Sequence, residues 1–141
     1  GGRFEVIHHS QLLAQLVREG KLQCSAPDGK KIAVHDSCYL GRYQDEYEAP
    51  RAVVSAAGGH VVEFERSHEK SFCGAGGGRM WLEDASGKRM GDERAKQALD
   101  TACDEVATSC PFCLTMLSDG MAACDSETKV CDIAELLAQV Q

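Results

Sequence analysis

At 141 residues the chain is about one domain long, enough to bury roughly two thirds of its unfolded surface in a single core. Apolar residues make up 43% and charged residues 26%, which excludes a disordered or collagenous chain. Fifteen Lys and Arg against 22 Asp and Glu give a net charge of −7, a field that repels phosphate backbones and anionic lipid, so nucleic acid is not an expected partner.

No run reaches the roughly 18 consecutive apolar residues of a membrane span, and the start lacks a basic segment followed by an apolar one. The domain is therefore expected neither to cross a membrane nor to carry a secretory signal. Gly1-Gly2-Arg3 opens without methionine, which reads as part of a longer polypeptide, with this chain its C-terminal part. Eight cysteines without an export signal point to metal or redox chemistry rather than to a disulfide scaffold.

In chain order, Ser10 to Glu19 places Leu12, Leu13, Leu16 and Val17 on one helical face, with Ser10 as N-cap and Gly20 as stop. Residues 1–30 thus read as an N-terminal helix and a polar loop turning at Pro27-Asp28-Gly29. Lys31 to His35 is short, apolar and β-prone, the first strand. Pro50, at a first helical position, opens a helix through Ala57 that Gly58-Gly59 closes, and His60 to Phe64 is the second strand. Asp92 to Cys103 carries Ala95, Ala98, Leu99 and Ala102 on one face, and Glu105 to Ser109 is a third strand. A helix from Phe112 to about Asp119, a strand from Thr128 to Cys131, and a helix from Ile133 to Val140 with a capping box of Asp132 and Glu135 complete the pattern. Alternating strands and helices predict one α/β domain: a parallel sheet of about four strands flanked by helices, three-layered and Rossmann-like. Ligands on such sheets gather beyond the carboxyl ends of the strands, where Cys38 and Cys110 both fall.

Cys110-Pro-Phe-Cys113 is a CxxC at a predicted strand-to-helix turn, where a helix N-terminus favours thiolate charge. A thiol–disulfide pair working through Cys110 and Cys113 is one reading. It lacks the downstream proline of thioredoxin folds, since the only prolines are Pro27, Pro50 and Pro111. Cys38, Cys73 and Cys110 are separated by 34 and 36 residues, about one βα repeat each, which returns the chain to the same sheet edge. The four thiolates of Cys38, Cys73, Cys110 and Cys113 suit either a tetrahedral zinc or an iron–sulfur cluster.

His35-Asp-Ser-Cys-Tyr-Leu-Gly-Arg42, Ser71-Phe-Cys-Gly-Ala-Gly-Gly-Gly-Arg-Met-Trp81 and Cys110-Pro-Phe-Cys113 resemble the CCG, or cysteine-rich, domain of the heterodisulfide reductase family. Related domains occur in iron–sulfur oxidoreductases of electron-transfer flavoprotein, glycolate, glycerol-3-phosphate and lactate metabolism. The resemblance covers about residues 31–140. It implies a parallel α/β fold binding a [4Fe-4S] cluster, cubane or non-cubane, with Cys38 as first ligand, Cys73 as the middle one and Cys110 and Cys113 as the last pair. It also implies partners within a redox complex, a flavoprotein or ferredoxin-type iron–sulfur protein, and a quinone or disulfide acceptor. A cytoplasmic location is implied too, with the inner membrane face reached through a partner or a further domain. One position departs: the family usually has two adjacent cysteines before the glycine, where this chain has Phe72-Cys73. Some relatives with an altered cysteine set hold zinc, which makes a zinc-stabilised interaction module the alternative.

Gly74 to Gly78 is not a dinucleotide loop, because the third glycine of GxGxxG falls on Arg79. Gly74 and Gly76 are read instead as letting backbone N–H groups approach the cluster sulfur. Cys24, Cys103, Cys124 and Cys131 have no motif around them and read as small buried hydrophobes, Cys24 being the one whose loop could fold back. His35 and Asp36 could shuttle a proton or simply orient the first cysteine loop. His68 could replace a missing thiolate, His8 and His9 read as a surface or interface pair, and Arg79 and Trp81 are placed beside the cluster, the latter excluding water.

Overall fold

The computed structural model describes residues 1–22, 29–82, 87 and 89–138. Cys24, the Pro27-Asp28 part of the predicted turn and the end of the predicted last helix at Val140 lie outside the described residues.

Alternating burial explains the strands. In β1 (Lys31–His35), Ile32 and Val34 face one side and Ala33 and His35 the other, and all four are buried. That burial on both faces is the signature of a parallel sheet covered by helices. β1 pairs in parallel with β2 (His60–Val62) and with β3 (Glu105–Thr108), and β3 pairs in parallel with β4 (Lys129–Asp132), giving the order β2-β1-β3-β4. Helices α1 (His9–Arg18), α3 (Glu48–Ala56) and α6 (Ile133–Ala138) share one apolar cluster with Ile32, Val34 and Ala107. Helices α4 (Met90–Asp100) and α5 (Pro111–Ala123) cover the other face, over Ala33, Val106 and Phe64. The predicted three-layer α/β architecture is the observed one.

The chain leaves β1 toward β2 on one side and β3 toward β4 on the other. The order therefore reverses between β1 and β3, and the carboxyl ends of these two strands open the crevice in which such sheets bind ligands.

Several boundaries differ from expectation. The N-cap of α1 is His8: its Nδ1 accepts from the Ser10 backbone N–H at 3.3 Å, while Gln11 Oε1 accepts from the His8 N–H at 3.0 Å. A histidine thus closes a capping box ordinarily built by Ser or Thr, and Ser10 is fully buried inside the helix. Pro50 is the third residue of α3 and still lies in the first turn, where its missing N–H has no helical acceptor to lose. β2 stops at Val62, and α5 runs on to Ala123.

Helix α2 (Cys38–Gln44) was not legible, because Gly41 in its middle is a poor helix former. A Cβ there would come within 2.6 Å of the Tyr47 ring, so close packing accounts for the glycine. At the other end of the chain the Asp132 and Glu135 capping box is present, with Ala134 N–H on Asp132 Oδ1 at 2.9 Å and Asp132 N–H on Glu135 Oε2 at 3.0 Å.

Candidate metal centre

Three separate segments carry the four predicted cysteines to the crevice. Cys38 is the first residue of α2, three positions beyond the end of β1. Cys110 is the N-cap of α5, directly after β3, with Pro111 at the first helical position, and Cys113 lies in the same first turn, 1% exposed. Cys73 comes from the loop between β2 and α4. That loop is tied to the rim through Ser71, whose hydroxyl donates to the Asp36 carbonyl at 3.4 Å and accepts from Arg94 at 3.2 Å, while its carbonyl accepts from Arg42 at 2.9 Å.

The sulfurs interact in the order Cys38, Cys73, Cys113, Cys110. The Cys113 thiol bonds to both Cys73 and Cys110, and Cys38 bonds to Cys73. Cys73 is held down at about 5, first by the Cys113 bond and then, against the cost of burial, by the N–H groups of Gly76 and Ala75. The Gly76 N–H lies 3.4 Å from the Cys73 sulfur. Cys110 is held down at about 6, first by Cys113 and then, again against burial, by the N–H groups of Cys113 and Phe112 at the α5 N-terminus. Cys113 is pushed up by donating to those two partners, and Cys38 is pushed up chiefly by burial and then by Cys73. Backbone dipoles therefore stabilise negative sulfur at two points of one all-sulfur donor set, the ligand chemistry that soft metals select.

A second group, Asp36, Glu63 and His68, brings three possible ligand atoms within 4.8 Å of one another. A cation already serves those carboxylates. Arg51 donates to Asp36 at 2.7 and 3.2 Å and to Glu63 at 2.7 Å from each of two nitrogens. His68 thus lies with the carboxylates rather than among the sulfurs, and its backbone N–H donates to Asp36 Oδ2 at 2.7 Å. Asp36 is 6% exposed and engaged by Arg51, and His35 is 1% exposed, which leaves both residues orienting the loop rather than passing protons to solvent.

The remaining predicted residues divide. Gly76 does bring its N–H to sulfur, with φ +54. Gly74 serves packing, since a Cβ there would lie 2.8 Å from the Gly91 backbone nitrogen. Arg79 is exposed, and Trp81 rests edge-on against Phe112 of the CxxC at 5.6 Å. At 63% exposure Trp81 does not exclude water, because the kinked glycines Gly77 and Gly78 hold its segment on the surface. Cys103 and Cys124 are half-buried, and Cys131 is buried on the opposite face of the sheet. His8 caps α1, and His9 Nε2 meets Asp132 Oδ1 at 3.2 Å.

Sequence reading missed Arg94. It is fully buried in α4, its Nε donates to His35 Nδ1 at 3.0 Å, and its guanidinium lies 3.8 Å from the Phe64 ring centre and 5.2 Å from that of Phe72. The available signal was its position one turn before Ala98 on the alanine face.

The family model for the CCG cysteine-rich domain matches residues 32–118, which span all four cysteines. The chain belongs to the CCG family. Over 97% of its length this CCG domain is 50% identical to the EtfAB:quinone oxidoreductase of Syntrophomonas wolfei, of which it covers 21%. It is 48% identical over 96% of its length to the probable iron-sulfur-binding oxidoreductase FadF of Bacillus subtilis, covering 20% of that protein. With one subunit of the dihydromethanophenazine:CoB–CoM heterodisulfide reductase of Methanosarcina barkeri the identity is 44% over 96% of the chain and 34% of the relative. The domain thus spans a fifth to a third of the relatives it matches.

Proposed function

We propose that Cys38, Cys73, Cys110 and Cys113 hold an iron–sulfur centre through which this domain relays electrons inside a larger oxidoreductase. The observation that carries the reading is the meeting of four thiols from three segments in the crevice between β1 and β3. The names of the relatives, an iron-sulfur-binding oxidoreductase among them, support it.

The residues present fit such a group. Among the described residues no three of these sulfurs lie mutually within 4.8 Å. A tetrahedral zinc needs all four about 3.8 Å apart. The wider array favours a polynuclear centre, and four cysteines suffice for a [4Fe-4S] cluster. Such a centre supplies one-electron exchange when bound. The chain's own part is to hold the ligands, to direct the N–H groups of Gly76, Ala75, Phe112 and Cys113 at sulfur, and to leave one flank open. A cleft of about 120 Å³ lined by Cys73, Gly76, Arg79, Met80 and Met116 adjoins the ligands.

In this reading the donor is a flavoprotein or ferredoxin-type partner, and the acceptor a quinone or disulfide. Among the described residues no helix is long and apolar enough to cross a membrane. The seven described cysteines are free, in keeping with a reducing, cytoplasmic setting, and contact with the membrane then falls to other parts of the complex.

Anaerobic purification followed by iron and acid-labile sulfide analysis tests the assignment. Stoichiometric iron and sulfide, with a visible band that bleaches on reduction, is the expected result. Stoichiometric zinc without sulfide overturns it.

A further inference from the structure

His35 and Thr108 are register partners at the carboxyl ends of β1 and β3, so their side chains leave the sheet on the same face. That face carries α4 and α5. Ala33 and Val106, two positions earlier in each strand, belong to the core cluster that contains Cys113 and borders Cys73 and Cys110. Both His35 and Thr108 are 1% exposed.

Each ends in a polar atom that nothing satisfies: Nε2 of His35 and Oγ1 of Thr108. Among the described residues no other buried side-chain nitrogen or oxygen is in that position. Burying one such atom is costly, and placing two side by side beneath the cysteine loops calls for an acceptor. The histidine's role follows from its other nitrogen. A guanidinium can only donate, so the Arg94 bond makes Nδ1 the acceptor and fixes the ring proton on Nε2. Burial keeps the ring neutral, with its pKa lowered to about 3. The unpaired Nε2 is therefore a donor, and the threonine hydroxyl beside it can donate as well.

We propose that the Nε2–H of His35 and the hydroxyl of Thr108 are hydrogen-bond donors to sulfur of the centre held by the four cysteines, and that they raise its reduction potential. The proposal rests on the iron–sulfur reading. Adding an electron makes the cluster sulfurs more negative, so donors aimed at them stabilise the reduced form more than the oxidised one. Arg94 is the positioning residue. It fixes the tautomer, and among the described residues it makes no ion pair with a carboxylate, so its charge also favours the reduced form. The competing occupant of the two polar atoms is an ordered water bridging them.

The test uses anaerobically prepared, iron-loaded protein. In the unaltered chain carrying ¹⁵N-histidine, pulsed EPR of the paramagnetic form is expected to show a histidine nitrogen coupling that persists in His68→Gln and vanishes in His35→Gln. Thr108→Val, nearly the same shape, is expected to move the midpoint to lower potential, changing the reduced-to-oxidised ratio at fixed poise about tenfold. The labelled measurement needs no variant, so it decides even if a substitution fails to fold. Iron-loaded protein with no histidine coupling and an unmoved Thr108→Val midpoint overturns the proposal, leaving water between the two atoms. Protein that takes up neither iron nor sulfide overturns the cluster reading as well.

Discussion

Between the sheet and α1, α3 and α6 lie Val34, Val53, Val54, Ile133 and Leu137, none more than 2% exposed, with Ile32 and Leu136 beside them. The opposite face, under α4 and α5, buries alanines, methionines and Cys113, and with them a guanidinium, an imidazole and a hydroxyl. The first face is branched hydrocarbon that interlocks and holds the domain together. The second trades hydrocarbon for groups that can act on sulfur. Polar burial is tolerated on one face because the other supplies the apolar area.

The largest expected effect is on the second face. Cys113→Ala should abolish stoichiometric iron while leaving the far-ultraviolet circular dichroism of the domain unchanged, which metal analysis and spectroscopy check together. If the domain instead unfolds, the two faces are not separable.

Next comes the bridge between the faces. Arg51 reaches from α3 to Asp36 at the crevice rim, and the two side chains are 9% and 4% exposed. Removing one partner of a buried pair strands the other, so Arg51→Ala should cost roughly 3–5 kcal/mol in denaturant unfolding of metal-free protein. Asp36→Asn combined with Arg51→Met should recover much of that loss. Gly74→Ala is smaller. Its Cβ would meet the Gly91 backbone, and overpacking of this kind costs roughly 1–3 kcal/mol while displacing the loop that carries Cys73. Reduced iron retention in a still-folded protein is the expected readout.

Much of this was legible in the residues. Lys31 to His35 and Glu105 to Thr108 announce strands through β-prone apolar runs, and the CxxC at a strand-to-helix turn with cysteines one βα repeat apart announces the convergence of the sulfurs. The hidden parts depend on contacts remote in sequence. Helix α2 is masked by Gly41, whose reason is Tyr47. Arg94 reads as a solvated charge until α4 is docked, when it meets His35, 59 positions away. The exposure of Trp81 follows from positive-φ glycines whose effect on chain direction no periodicity reports.

His35 also gives the second face a pH signature. Its folded-state pKa is lowered to about 3 from an ordinary 6.5, by burial first and by Arg94 second. The unfolded chain therefore binds the proton more readily, and the contribution of His35 to stability is whole above pH 6.5 and lost as pH falls toward 3. Metal-free protein should lose about 1.4 kcal/mol per pH unit across that window from this residue, and His35→Gln should flatten the curve by that amount.

The smallest effect belongs to the cysteine that best matches Cys113 in burial and differs in face. Cys131 is fully buried in β4 on the hydrocarbon side, its sulfur 3.7 Å from the Val106 carbonyl and 3.9 Å from Glu105 Oε2. Burial first, and Glu105 second, push its thiol up to about 12, so at neutral pH it is a small hydrophobe with a weak donor. Cys131→Ala removes one atom from a close-packed site and should cost about 1 kcal/mol through the cavity left behind. Iron content and reduction potential should not move, because the sheet itself separates this sulfur from the other four. A change in either would mean that the sheet transmits strain from one face to the other.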